Sequence, residues 1–250
     1  MIGSSMILSL HKWNLALQGG ILSVVLWNLA FDLLLNKFKK GKVKIIGFAD
    51  DGALLVQGKN IKYMNRLMQK AVNTAQKWAT ENGLSLSPEK TVAMLFTRKN
   101  KVQDIQEINI KLGGKQIELV NEVKYLGLTL DNKLNFKTHI NNKIKAAKKY
   151  IFALRNSIGK EWGPGPEQIL WILETIVRPT ILYGALVWAT SLTKTTRNKL
   201  NKLPRLALMG MGHFQLSTPE SGLDVIMGTL PLDLAILGSA IKGQNQYNVK

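Results

Sequence analysis

The stretch Val43-Lys-Ile-Ile-Gly-Phe-Ala-Asp-Asp-Gly-Ala-Leu-Leu-Val56 decides how the chain is read. Two short apolar runs, Val43 to Phe48 and Ala53 to Val56, are separated by Ala49, Asp50, Asp51 and Gly52. Asp followed by Gly between apolar runs predicts a β-hairpin, because both residues tolerate the backbone of a tight turn. Asp50 and Asp51 then share an exposed tip, where adjacent carboxylates suit hard divalent cations. Two such ions, roughly 4 Å apart, activate an attacking hydroxyl and stabilise a leaving phosphate oxygen. The same three residues also make an ordinary solvated turn, so their neighbours must decide.

Upstream, Gly19 and Gly20 precede Ile21 to Phe38, a Leu-rich run without internal Gly or Pro that predicts a buried helix. Downstream, Ile61, Met64, Met68, Val72, Ala75 and Ala79 recur every three or four residues with Lys62, Arg66, Lys70 and Lys77 between them, and Gly83 follows as the stop. That pattern predicts an amphipathic helix lying on a sheet. Val92, Met94 and Phe96 alternate as a strand, Gly113 and Gly114 sit at the turn of a second hairpin, and Val123 to Leu130 predicts a further strand.

From residue 136 the period becomes helical, with Ile140, Ile144, Ala147, Ile151, Leu154 and Ile158 on one face. Pro166 opens a helix running to about Val177, which Arg178 and Pro179 close; Lys194 to Leu208 predicts another. The expectation is an α+β chain: a sheet with packed helices over 1–133, an all-α region over 134–238, and a loosely ordered tail over 239–250.

Composition narrows the function. The 250 residues carry 34 Lys and Arg against 16 Asp and Glu, a net charge of +18, which points to a polyanionic partner. Residues 132–160 hold eight of the basic side chains and no acidic one. With no cysteine, disulfide frameworks, thiolate zinc sites and cysteine nucleophiles are excluded, and an intracellular setting is favoured. Ile21 to Leu35 contains Asn28 and Asp32 and is too short to span a bilayer, so no membrane partner is expected.

In order along the chain stand Gln18-Gly19-Gly20-Ile21-Leu22-Ser23, Phe48-Ala49-Asp50-Asp51, Gly83-Leu84-Ser85-Leu86 with Lys90, Thr91 and Phe96, and Lys124-Tyr125-Leu126-Gly127. This series resembles the palm of reverse transcriptases from non-LTR retrotransposons, most closely the jockey-like group. Arg178 to Trp188 and Gly228 to Leu232 resemble the region that follows the palm in those proteins. The resemblance implies an RNA-directed DNA polymerase using Mg²⁺ or Mn²⁺, with an RNA template, a DNA primer and deoxynucleoside triphosphates as partners.

It further implies roles residue by residue. Asp50 and Asp51 match the catalytic, metal-holding pair. Gln18 and Gly19 match a loop that meets template and incoming nucleotide, with Phe48 positioning the aspartates. Lys90 is suited to neutralising a triphosphate or protonating pyrophosphate. Tyr125, Leu126 and Gly127 match the hairpin that grips the primer end, and Lys143, Lys145, Lys148 and Lys149 fall where a thumb helix meets a phosphate backbone.

The sequence also departs from that pattern. The family takes another aspartate from a strand well before the Gln-Gly loop, whereas residues 1–17 contain no Asp or Glu, and Val24 stands where proline is common. A truncated or decayed polymerase is therefore expected, inactive alone, with an exposed sheet edge or apolar face. The alternative is a non-catalytic nucleic-acid-binding remnant. Its place in the cell, nucleus or cytoplasmic ribonucleoprotein, and its oligomeric state are left open by the sequence.

Overall fold

The computed structural model describes residues 4–10, 22–39, 41–49, 51–97, 108–156, 164–209 and 217–248. They build an α+β fold in two compact units, 1–134 and 135–250.

The first unit is organised by a five-stranded sheet. Its strands are β1 (Ser4–Leu10), β2 (Val43–Phe48), β3 (Asp51–Gly58), β4 (Val92–Phe96) and β7 (Glu118–Leu119), ordered β2-β3-β1-β4-β7. All neighbours are antiparallel except β4 and β7. Strand β1 lies in the middle, a strand the sequence pattern does not announce. Its seven residues, Ser4 to Leu10, include three serines at positions 4, 5 and 9 and an unbroken apolar run over 6–8, so they show no alternation of period two.

Helices α1 (Ser23–Phe38) and α2 (Ile61–Glu81) join one core with the sheet. The stripe predicted for α2 is the stripe that is buried: Ile61, Met64, Met68, Val72, Ala75 and Ala79 all point inward. Asn60 caps this helix by accepting the Tyr63 N–H at 2.9 Å, and Gly83 ends it at φ 68°.

Helix α1 departs from expectation. Phe31, Leu34 and Phe38 are buried, but Leu22, Val25, Leu26, Leu29 and Leu33 are exposed, as are Ile46 and Phe48 on the edge strand β2. Apart from the stripe of Asn28, Asp32 and Asn36, apolar residues surround this helix, so composition does not say which side packs and overstates its burial. The contact that is made is tight. A Cβ built at Gly47 would lie 2.0 Å from Cε1 of Phe31, so the ring rests directly on the β2 backbone. Phe31 also stacks on Trp27 with centroids 5.6 Å apart and meets Trp78 of α2 edge-on at 6.4 Å.

On the opposite face of β4, Met94 and Phe96 pack with Val123, Val92, Val120 and Leu130. Residues 123–130 are not one strand but the hairpin β8 (Glu122–Tyr125) and β9 (Leu128–Asp131), turned by Leu126 and Gly127 at φ 46° and 77°. The sequence conceals the turn because Leu126 is a poor left-handed residue. The other predicted hairpin forms around Gly113 and Gly114, at φ 57° and 80°, with β5 (Lys111–Leu112) and β6 (Lys115–Gln116).

The second unit is helical: α3 (Lys137–Asn156), α4 (Pro166–Ile172), α5 (Arg178–Leu182), α6 (Ala185–Trp188), α7 (Lys194–Leu208), α8 (Glu220–Ile226) and α9 (Leu232–Asn248). Arg178 and Pro179 do not close the preceding helix. A π-helical turn over Leu173–Val177 carries the backbone from α4 into α5, and the Arg178 N–H bonds the Leu173 carbonyl. Widening that turn makes room for a proline ring that would collide with a regular α-helical carbonyl. Helix α9 runs through the segment expected to be a loose tail. Ile158 lies outside the described residues. Among those described, no single helix is long and apolar enough to cross a membrane; one bent pair, Glu167–Leu182 with Ala185–Ser191, passes by composition. Its Ile169, Leu173, Val177, Ile181 and Trp188 are buried in this unit.

His139 is buried beside Trp188, ring centroids 5.8 Å apart. Burial, and then the Lys143 ammonium, push its pKa from 6.5 down to about 4.

Two outcomes follow from this packing. Gly47→Ala should lower stability to urea by about 3 kcal/mol, because Phe31 must leave the β2 backbone, and Phe31→Leu in the same chain should recover part of it. His139 is neutral in the fold but protonates near 6.5 when unfolded, so its contribution is complete above pH 6.5 and lost as pH falls toward 4. A chain with His139→Leu should therefore show a flatter melting temperature than the parent between pH 7 and 4.

Candidate functional site

The register of the sheet brings one set of strand ends together. Phe48 closes β2 opposite Asp51, which opens β3; Leu10 closes β1 opposite Gly52; and Val92, opening β4, pairs with Ser9. Asp51 and Gly52 thus belong to the strand rather than to the turn. Ala49 takes φ 50°, a left-handed conformation that favours glycine. Its carbonyl accepts the Trp27 indole N–H at 2.7 Å, so α1 clamps the tip from the side. Asp51 is half-buried and Phe48 is exposed.

Lys90 is exposed in the turn just before β4. Next to it Thr91 is buried and donates its hydroxyl to the Ser87 carbonyl at 2.7 Å, fixing the approach to the strand. Lys90 therefore enters at the same end of the sheet as Asp51. Gln18, Gly19 and Asp50 lie outside the described residues.

Tyr125, at the end of β8, reaches this end too. Its hydroxyl oxygen is buried and makes no hydrogen bond among the described residues. Burial, and then the nearby Asp51 carboxylate, hold the phenol above its ordinary value of 10, so it remains a protonated donor. Leu126 and Gly127 form the turn beyond it, with Leu126 in a strained left-handed conformation. Asp51, Phe48, Lys90 and Tyr125 therefore share one region of the first unit, although 77 positions of sequence separate Phe48 from Tyr125.

In the second unit the four lysines read as one basic face divide. Lys145 and Lys148 line a groove of about 500 Å³ between α3 and α7, whose opposite wall carries Lys199 and Lys202. Ile144, Leu203 and Leu206 contribute apolar lining, Asn141 adds an amide, and among the described residues no carboxylate lines the groove. Lys143 turns elsewhere: its ammonium sits 4.8 Å from the centre of the Tyr183 ring. Lys149 is exposed and is not part of the lining.

Lys199 and Lys202 were not foreseen from sequence. They flank the buried stripe Leu200 and Leu203 just as Lys145 and Lys148 flank Ile144 and Ala147. That repeated flanking is the only sequence signal, and it does not state which helix will face which.

Residues 8–130 match the family described as reverse transcriptase (RNA-dependent DNA polymerase). Over 221 residues the chain is 26% identical to a retrovirus-related Pol polyprotein from the type-1 retrotransposable element R1 of Nasonia vitripennis, covering 87% of this chain and 65% of that protein. A second R1 polyprotein of the same insect is 29% identical, over 93% of this chain and 57% of its own length. The RNA-directed DNA polymerase from mobile element jockey of Drosophila melanogaster is 28% identical, over 64% of this chain and 17% of its own length. The chain therefore spans less than two thirds of each of these relatives. That match lies across the hairpin, β4 and the β8–β9 turn, so residues 8–130 carry a domain of the reverse transcriptase family, a family of nucleotidyltransferases, and the chain is similar to the polymerases of the R1 and jockey elements over most of its length.

Proposed function

We propose that the first unit is the palm and the second the thumb of an RNA-directed DNA polymerase, and that this chain holds template and primer without extending them by itself. The observation that carries the proposal is the convergence of Asp51, Tyr125 and Lys90 at one end of a sheet whose middle strand brings no carboxylate there. Strand β1 precedes Gln18 and Gly19 in the chain, adjoins the aspartate hairpin and carries no carboxylate, whereas the family takes a further aspartate from a separate strand well upstream. It ends on Leu10, beside Gly52.

The family uses divalent metal ions, and the donors on this chain fit them poorly. Among the described residues no three His, Asp or Glu side chains converge. Asp50 and Asp51 on one hairpin offer a single pair of carboxylates, whereas Mg²⁺ demands near-octahedral oxygen ligation and two ions demand more donors than one pair supplies. Asp51 would hold a metal ion beside Asp50, weakly.

The remaining groups suit a primer and a nucleotide. Tyr125 offers a protonated donor at the Asp51 end, apt for a terminal phosphate or sugar oxygen, and Lys90 brings positive charge to the same end. The α3–α7 groove faces solvent with four ammonium groups and an apolar floor, apt for a phosphate backbone whose sugars lie against Ile144 and Leu206.

Two measurements test this reading. On an RNA template with a DNA primer, deoxynucleotides and Mg²⁺ or Mn²⁺, the chain should give no template-dependent extension; incorporation abolished by Asp50→Ala would contradict it. Lys199→Gln with Lys202→Gln should weaken binding of an RNA–DNA duplex by about 3- to 10-fold and reduce the slope of log affinity against log salt by about 2. Fluorescence anisotropy across a salt series reads both quantities.

A further inference from the structure

A second basic surface lies on the side of α2 turned away from the sheet. Lys62, Arg66 and Lys70 recur there at intervals of four, roughly 6 Å apart along the helix axis, and all three are exposed. They line a shallow groove of about 540 Å³ together with Asn65, Gln69, Asn73 and Asn109, and among the described residues no carboxylate lines it.

The floor is held rigidly. Gln69 donates to the Lys111 carbonyl at 2.9 Å and to Asn73 Oδ1 at 2.8 Å, and it accepts the Lys111 N–H at 2.8 Å. Asn65 Oδ1 accepts the Asn109 N–H at 3.3 Å. These bonds fix the Asn109–Lys111 segment alongside the helix, with the exposed Lys111 adjoining the groove. The Asn73 amide N–H groups have no hydrogen-bond partner among the described residues, because only its oxygen is engaged.

The arrangement works against the helix that carries it. Cations at intervals of four repel one another, and a cation in the first turn opposes the helix dipole. Helix α2 has no acidic residue in its first turn, and its only acidic residue is Glu81 at the far end. A local rule broken without a packing gain marks a surface kept for something else.

We propose that this groove binds a strand of RNA, separate from any strand at Asp51 or in the α3–α7 groove. Lys62, Arg66 and Lys70 are spaced to meet successive phosphates. Beside them the exposed Asn73 amide offers N–H donors to 2′-hydroxyls, the group by which a protein distinguishes RNA from DNA. Because the buried stripe of α2 faces the sheet, the groove opens on the opposite side of the helix and does not compete with the catalytic end of the strands.

The test uses the full 250-residue chain and a fluorescein-labelled, unstructured 30-nucleotide RNA, with DNA of the same sequence in parallel, read by anisotropy across a salt series. Arg66→Gln with Lys70→Gln should weaken RNA binding at least 5-fold and lower the salt slope by about 1.4. DNA binding should change less than 2-fold, and Asn73→Ala should reduce the preference for RNA. Thermal melts should stay level or rise as like-charge repulsion is relieved. Unchanged RNA affinity and slope would overturn the proposal, as would an equal loss for RNA and DNA. Arg66→Glu with Lys70→Glu gives a second pair with the same sign and a larger effect. If both pairs lose RNA binding while the duplex result under the proposed function fails, the outer groove stands and the thumb reading falls.

Discussion

The contact between Phe31 and the backbone of β2 at Gly47 is the constraint on which the Asp51 end of the first unit rests. Only a residue without a side chain lets the ring lie on the strand, with Cε1 2.0 Å from where a Cβ would stand. That seat fixes α1, and α1 in turn delivers Trp27, whose indole N–H holds the Ala49 carbonyl at the hairpin tip. Through Trp78 the same ring couples α1 to α2. The position of Asp51 is therefore set by aromatic packing behind the sheet as well as by the strand pairing around it.

The two units handle charge differently. In the first, one carboxylate, one lysine and one buried phenol gather where four strands start or end. Each is held by its own local device: the Phe48–Asp51 pairing, the Thr91–Ser87 hydrogen bond, and the left-handed turn at Leu126. In the second, cations flank the apolar stripes of two helices, and packing those stripes together makes a lysine-walled groove. A dense basic stretch in sequence is thereby sorted into Lys145 and Lys148, which face the groove, Lys149, which does not line it, and Lys143, whose ammonium lies over Tyr183.

Legibility in the sequence followed periodicity. Helix α2, strand β4 and the Gly113-Gly114 hairpin are read directly, because their apolar spacing or turn chemistry has one solution. Strand β1 is not, since its apolar run lacks alternation, although it occupies the middle of the sheet. The burial of α1 is overstated because apolar residues cover that helix on every side but the stripe of Asn28, Asp32 and Asn36, and the turn at Leu126 is hidden by a residue that rarely adopts it. Pro179 misleads for a related reason: a π-helical turn absorbs the proline that should have ended the helix. At the candidate site, motif order singles out Asp51, Phe48, Lys90 and Tyr125, which the fold brings to one end of the sheet. The α7 half of the groove depends on a tertiary contact between segments more than 50 residues apart, which no local pattern encodes.

The central claim is that β1 supplies no carboxylate beside the aspartate hairpin, so that the chain binds nucleic acid with an incomplete metal site. Counting bound Mn²⁺ by electron paramagnetic resonance on the full chain tests this most directly. The structure predicts at most one weakly held ion, with a dissociation constant in the millimolar range that is lost on Asp51→Asn. Two ions bound tightly, in the micromolar range, and released by that substitution would contradict it.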